Sequence, residues 1–142
     1  MTLLGNRELI MIKIISTIAL FTLSYSSFAD DNWIEGPYNE FSAYSYQKGS
    51  FVIRENKSGI EVASMVSRYF DKQTKKITLN KIYVATSDCI KHSGKIITLN
   101  MDGEYQFEND FVFGAGSIGT GNAEFICAVY ESVKAENLSK GI

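Results

Sequence analysis

One histidine, one proline, one tryptophan and two cysteines are all that 142 residues hold of those four types. Each scarcity narrows the functions open to the chain. His92 alone cannot build a multi-histidine metal site, and any Ser–His pair would have to form there. Pro37 is the only proline and no segment reads as a linker or a low-complexity tail. Basic residues number 14 against 16 acidic ones and form no stripe, so nucleic acid is a poor partner. The uncharged run of about 16 residues from Ile14 to Ala29 is too short for a bilayer and turns polar after Leu23. No cysteine stands near Ala29, so a lipoprotein anchor is not expected.

What is present begins with an export signal. Met11–Ala29 has a basic start at Lys13, an apolar stretch from Ile14 to Leu23, then Ser27 and Ala29 in a small-residue cleavage pattern. Cleavage is expected between Ala29 and Asp30. Residues 1–29 then form a signal peptide, with Met11 the more natural initiator and Met1 left open. Residues 30–142 form one mature domain of 113 residues, with 12 basic and 15 acidic side chains and a net charge of −3. The expected location is the periplasm, the cell surface or the medium, with no stable membrane span after cleavage. Asp30–Asn32 and Lys134–Ile142 are polar and expected to be loose.

Cys89 and Cys127 both lie in that domain, and two cysteines in an oxidising compartment pair by default. The loop they close spans 38 residues. In the chain-entropy picture such a closure is worth about 4 kcal/mol, a large share of a small domain's stability. The competing reading makes Cys89 a nucleophile served by His92. No orienting acid accompanies that pair, and Cys127 stands ready to oxidise it.

The body of the chain reads mainly as strands. Gly59–Phe70 alternates, with Ile60, Val62, Val66 and Phe70 on one face. Ile77 and Leu79 begin an alternation that resumes out of phase at Ile82, Val84 and Thr86, which predicts a bulge or turn at Asn80-Lys81. Lys95–Phe107 predicts a tight hairpin, with Asp102 and Gly103 as its two positive-φ residues. From Asn122 the period changes: Phe125 or Ile126, Val129, Tyr130 and Val133 fall at helical spacing. A strand over Ala123–Tyr130 stays open as the alternative. The fold class expected is α+β: a small antiparallel sheet of about five to seven strands with a C-terminal helix. The disulfide would staple that helix to the strand ending at Cys89.

Trp33, Ser87–Ile90, Met101–Gly103, Gly116–Gly119 and Glu124–Cys127 occur in an order that resembles the surface-adhesin E-like family of small exported bacterial proteins. Residues 77–128 carry the resemblance. Ala115 stands where that pattern has a proline, and a polar tail continues past Cys127. The resemblance implies an α+β domain without catalytic residues, at the cell surface or in the periplasm, acting by protein contact.

Enzyme signatures fail on context. Gly114–Gly119 spells G-x-G-x-x-G, but only 23 residues follow Gly119, too few for the helix, strand and ribose-binding acid of a dinucleotide site. Asp102, Glu104, Glu108 and Asp110 cluster around a hairpin, where a solvated face is the simpler account than a calcium loop or an acid/base pair. No catalytic residue, metal ligand or cofactor is expected. The fifteen aromatics of the mature chain are mostly core, yet Phe111 and Phe113 adjoin Glu108 and Asp110 on a segment entering the glycine loop. These four residues are the candidate partner-binding set. Two function classes follow. One is a periplasmic immunity or inhibitor protein that neutralises a toxin or cell-wall hydrolase, its acidic charge steering it to a basic partner. The other is an adhesin-like surface protein that binds host or matrix components, a host surface protein among them. Self-association as a homodimer is left open.

Overall fold

The computed structural model describes residues 32–140; the signal peptide expected over residues 1–29 and its Ala29–Asp30 junction lie outside them. The alternating segments form seven antiparallel strands in one sheet: β1 Trp33–Tyr38, β2 Ser42–Gln47, β3 Val52–Glu55, β4 Glu61–Asp71, β5 Ile77–Ala85, β6 Ser93–Leu99 and β7 Tyr105–Val112. The strand order is β1-β2-β4-β5-β6-β7, and β3 pairs with β4. A short helix α1, Thr86–Lys91, joins β5 to β6, and the long helix α2, Ile118–Lys140, ends the described chain. The fold is α+β.

β2 and β3 lie end to end along one side of β4. Ser42–Tyr46 face Asp71–Ser67, and Val52–Glu55 face Ser64–Glu61. Residues 47–51 therefore bulge out opposite Met65 and Val66. The Ser50 hydroxyl fills the gap, accepting the Val66 N–H at 3.1 Å where a ladder carbonyl would otherwise sit.

Directly paired strand residues share a face, which fixes what lies beneath the helix. Tyr46, Ala63, Met65, Ile82, Val84, Ile96 and Phe111 project from one side and pack with Ala123, Ile126, Cys127 and Tyr130. The α2 N-terminus reads Gly-Thr-Gly-Asn, weak in helix propensity. Ser117 offsets this by capping: its hydroxyl accepts the Thr120 N–H at 3.1 Å. Gly121 is required by close approach, because a Cβ there would sit 2.9 Å from Pro37 Cβ. Only glycine lets the helix start settle on β1.

The structure amends several expectations. Cys89 and Cys127 are bonded, with Cα atoms 5.2 Å apart. Cys89 lies in α1, however, so the bond joins two helices rather than a helix and a strand end. No bulge interrupts β5: it pairs with β4 in one register from Ile77 to Ala85. Its apolar residues simply change sides, Ile82 and Val84 inward and Ile77 and Leu79 outward. Ala123–Tyr130 is helix, and α2 continues through Lys140 where a loose tail was expected. Ile126, not Phe125, is the fully buried member of that stripe. The β6–β7 hairpin is looser than a two-residue turn. Asn100 pairs with Glu104, Gly103 N–H donates to the Asn100 carbonyl at 3.0 Å, and Gly103 alone has positive φ, at 88°. That is a three-residue loop with glycine in the left-handed position.

Candidate protein-binding surface

Because α2 covers one side of the sheet, the stripe Val62, Val66 and Phe70 of β4 faces the other. Across the register Val66 and Phe70 pair with Lys81 and Ile77 on β5, and Arg68 between them pairs with Leu79; beyond Lys81 and Tyr83 come Leu99 and Ile97 on β6, then Tyr105 and Glu108 on β7. An apolar field results, with Ile77 56%, Leu79 43% and Tyr105 57% exposed. Contiguous exposed apolar surface of this kind marks interaction sites on small domains.

The field is polarised. At the β7 corner, the Lys95 ammonium lies 3.4 Å from a Glu108 carboxylate oxygen and 3.0 Å from one of Asp110. Its hydrogen bonds to Asp110 and then to Glu108 raise the Lys95 pKa above its ordinary value. Tyr105 hydroxyl donates to Glu108 at 3.2 Å, holding the carboxylate beside the apolar field. At the β1 corner the Arg68 guanidinium lies 4.4 Å over the Trp33 ring, and its Nε–H donates to the Ser45 hydroxyl at 3.0 Å. Lys72 lies over Tyr38 and Lys75 over Phe70. Glu35, Tyr38, Arg68, Phe70, Lys72 and Ile77 line a half-open cavity of about 440 Å³ there. Cations over aromatic faces hold their rings in place while leaving the edges exposed.

The four candidate residues do not act together. Glu108 and Asp110 share the open face and one ammonium. Phe111 is 2% exposed and belongs to the core, because alternation along β7 turns it under α2. It offers no surface to a partner. Phe113 is half-buried and stacks on His92, ring centroids 4.6 Å apart and planes 5° from parallel. His92 closes α1 in the left-handed conformation, φ 61°, and its carbonyl accepts the Phe113 N–H at 2.9 Å. The histidine is thus engaged in joining the α1 end to the β7 end.

The remaining motifs have local structural uses. Gly114 and Gly116 take positive φ, 84° and 79°, in the turn from β7 to α2, and Gly114 N–H donates to a Glu124 carboxylate oxygen at 2.8 Å. Asp102 and Glu104 sit at the β6–β7 hairpin, exposed. Among the described residues no group of three or more His, Cys, Asp or Glu side chains is placed to hold a metal ion. Among the same residues no helix is long and apolar enough to cross a membrane.

Sequence reasoning missed the centre of this surface. Leu79, Ile97, Leu99 and Tyr105 were visible as strand residues, but periodicity reports the phase of a stripe and not which side the helix takes. The fold and surface define a helix-backed antiparallel sheet domain, closed on one face and open on the other. No family model, no curated protein and no solved structure matches the chain.

Proposed function

We propose that this is an exported, non-catalytic module that binds another protein through the open face of its sheet, as an inhibitor or immunity protein against a basic toxin or cell-wall hydrolase. Residues 1–29 would direct export, and the Cys89–Cys127 bond suits an oxidising compartment. The reading is carried by one observation: the open face sets an apolar field of Leu79, Ile97, Leu99 and Tyr105 against the acidic pair Glu108 and Asp110. Burying such a field gives affinity, and the carboxylates steer a basic partner into place. The chemistry of the face is that of contact: Lys95 is paired with Glu108 and Asp110, and Arg68 lies over the Trp33 ring.

Stoichiometric titration of the mature domain against a panel of basic cell-wall hydrolases and toxins tests this. Inhibition of one panel member at a one-to-one ratio is expected, lost in Leu79→Glu with the thermal melt unchanged. Saturable binding to matrix proteins with no inhibition of any panel member would replace the inhibitor reading with an adhesin-like one.

A further inference from the structure

We infer that β7 is a docking edge for an extended basic segment of the partner protein, which joins the sheet as an added strand. The inference rests on the contact function proposed above and names how the partner is held. Among the described residues β7 ends the strand order and pairs only with β6. Its outer side is a row of backbone donors and acceptors without a strand partner, and such an edge recruits another strand.

The phase of the ladder tells which residues carry those groups. The Phe113 N–H bonds to the His92 carbonyl, continuing the register that sets Phe111 opposite Gly94 and Asn109 opposite Ile96. These residues turn their backbone groups toward β6. By alternation Glu108 and Asp110 turn theirs outward. Val112 turns outward too, but its carbonyl already accepts the Ala115 N–H at 3.0 Å, so the outward residues between Phe107 and Phe111 are the two that set carboxylates on the open face.

Charge selects the occupant. Asp102, Glu104, Glu108 and Asp110 lie on the hairpin and strand, and among the described residues Lys95 is the one ammonium bonded to them. A strand paired here places two side chains, two residues apart, opposite Glu108 and Asp110. Lysine or arginine at both positions makes favourable cross-strand pairs. The alternate side chains fall on the helix side beside Asn109 and Phe107, and Phe107 is 45% exposed, so an apolar residue suits that phase. A second copy of this chain fits badly. Antiparallel self-pairing centred on Asn109 would set Glu108 against Asp110, like charges directly opposed.

The test titrates the ¹⁵N-labelled, disulfide-intact domain with the peptide acetyl-Thr-Lys-Val-Lys-Val-Lys-Thr-amide. Three companions accompany it: the Glu-for-Lys version and two versions N-methylated on alternate residues in opposite phases. Expected are slowed exchange of the Glu108 and Asp110 amides with the lysine peptide and none with the glutamate one. One methylation phase is expected to bind as before and the other about tenfold more weakly, since only one peptide edge meets β7. Asp110→Ala and Asp110→Pro lose the same charge, but only proline removes the outward donor, so Asp110→Pro is expected to bind about fivefold more weakly than Asp110→Ala at equal thermal stability. Equal binding by both methylated peptides, unprotected Glu108 and Asp110 amides, or dimerisation of the domain through β7 overturns the inference. Should the peptide fail while Leu79→Glu still abolishes inhibition, the contact function stands and the edge pairing falls.

Discussion

The Tyr46 hydroxyl donates to the Asn122 side-chain oxygen, joining β2 to the start of α2 across 76 residues of sequence. Both side chains are buried, and the Phe125 ring stacks on Tyr46 with centroids 4.2 Å apart. One tyrosine thus holds the helix twice, by its ring and by its hydroxyl, and the helix in turn decides which sheet face stays open. Tyr46→Phe keeps the stack but leaves the buried Asn122 oxygen without its donor, an expected cost of about 1–3 kcal/mol. Urea unfolding followed by circular dichroism measures it, and an unchanged midpoint would show that water replaces the hydroxyl.

The same tyrosine sets an alkaline limit. Burial first, and Tyr44 second, raise the Tyr46 pKa well above its ordinary value of 10.0. The folded state therefore keeps the proton when the unfolded chain releases it. Tyr46 contributes full stability below pH 10.0 and loses it as pH climbs from there through the raised folded value. Urea midpoints are expected to hold steady up to pH 10.0 and then fall. The fall should be shallower in Tyr46→Phe; equal slopes in the two proteins contradict the assignment.

Ser67 makes the opposite case. Its hydroxyl is fully buried beneath the helix and has no hydrogen-bond partner among the described residues. Removing an unpaired buried polar group relieves a desolvation cost, so Ser67→Ala is expected to raise stability by about 1 kcal/mol. Differential scanning calorimetry reads the gain as a higher melting temperature, and a lower one would reveal a partner for the hydroxyl.

The disulfide holds α2 at its middle. Beyond Tyr130 every residue of the helix except half-buried Val133 is exposed. The double substitution Cys89→Ser and Cys127→Ser is expected to cost about 4 kcal/mol and to fray the helix past Tyr130. Amide exchange with and without reductant checks both, and a helix equally protected after reduction would show that packing alone suffices.

How much of this was legible in the sequence depends on the strength of each local signal. β4 to β7 alternate over long runs, and two cysteines admit one pairing, so the α+β class and the Cys89–Cys127 bond could be read directly. β1 to β3 could not. Gly36, Pro37 and the bulge at 47–51 break their alternation, and Tyr38 and Phe41 are exposed aromatics that mimic core. The acidic half of the candidate site was visible as Glu108 and Asp110. Its apolar half was not, because Ile77 and Leu79 look like core until the helix has chosen the side of Ile82 and Val84. Phe111 was misplaced for the same reason: adjacent strand residues face opposite ways, so it cannot share a surface with Asp110.

Charge at the β7 corner is expected to act on encounter as well as on the final complex. Reversing Glu108 and Asp110 to lysine should slow association with a basic partner, flatten its salt dependence and, by opposing like charges across the added strand, speed dissociation. Stopped-flow measurements at low and high salt separate these. A loss confined to the dissociation rate would mean the pair is buried in the complex rather than steering from its rim.

If the proposed contact function holds, partners meet the open sheet face and not the helix. A photoreactive phenylalanine placed in turn at Leu79, Tyr105 and the exposed Ser139 of α2, followed by irradiation of living cells, tests it most directly. One adduct to the same basic protein from positions 79 and 105, and none from 139, is the expected result. Adducts from 139 with none from 79 or 105 would contradict the account.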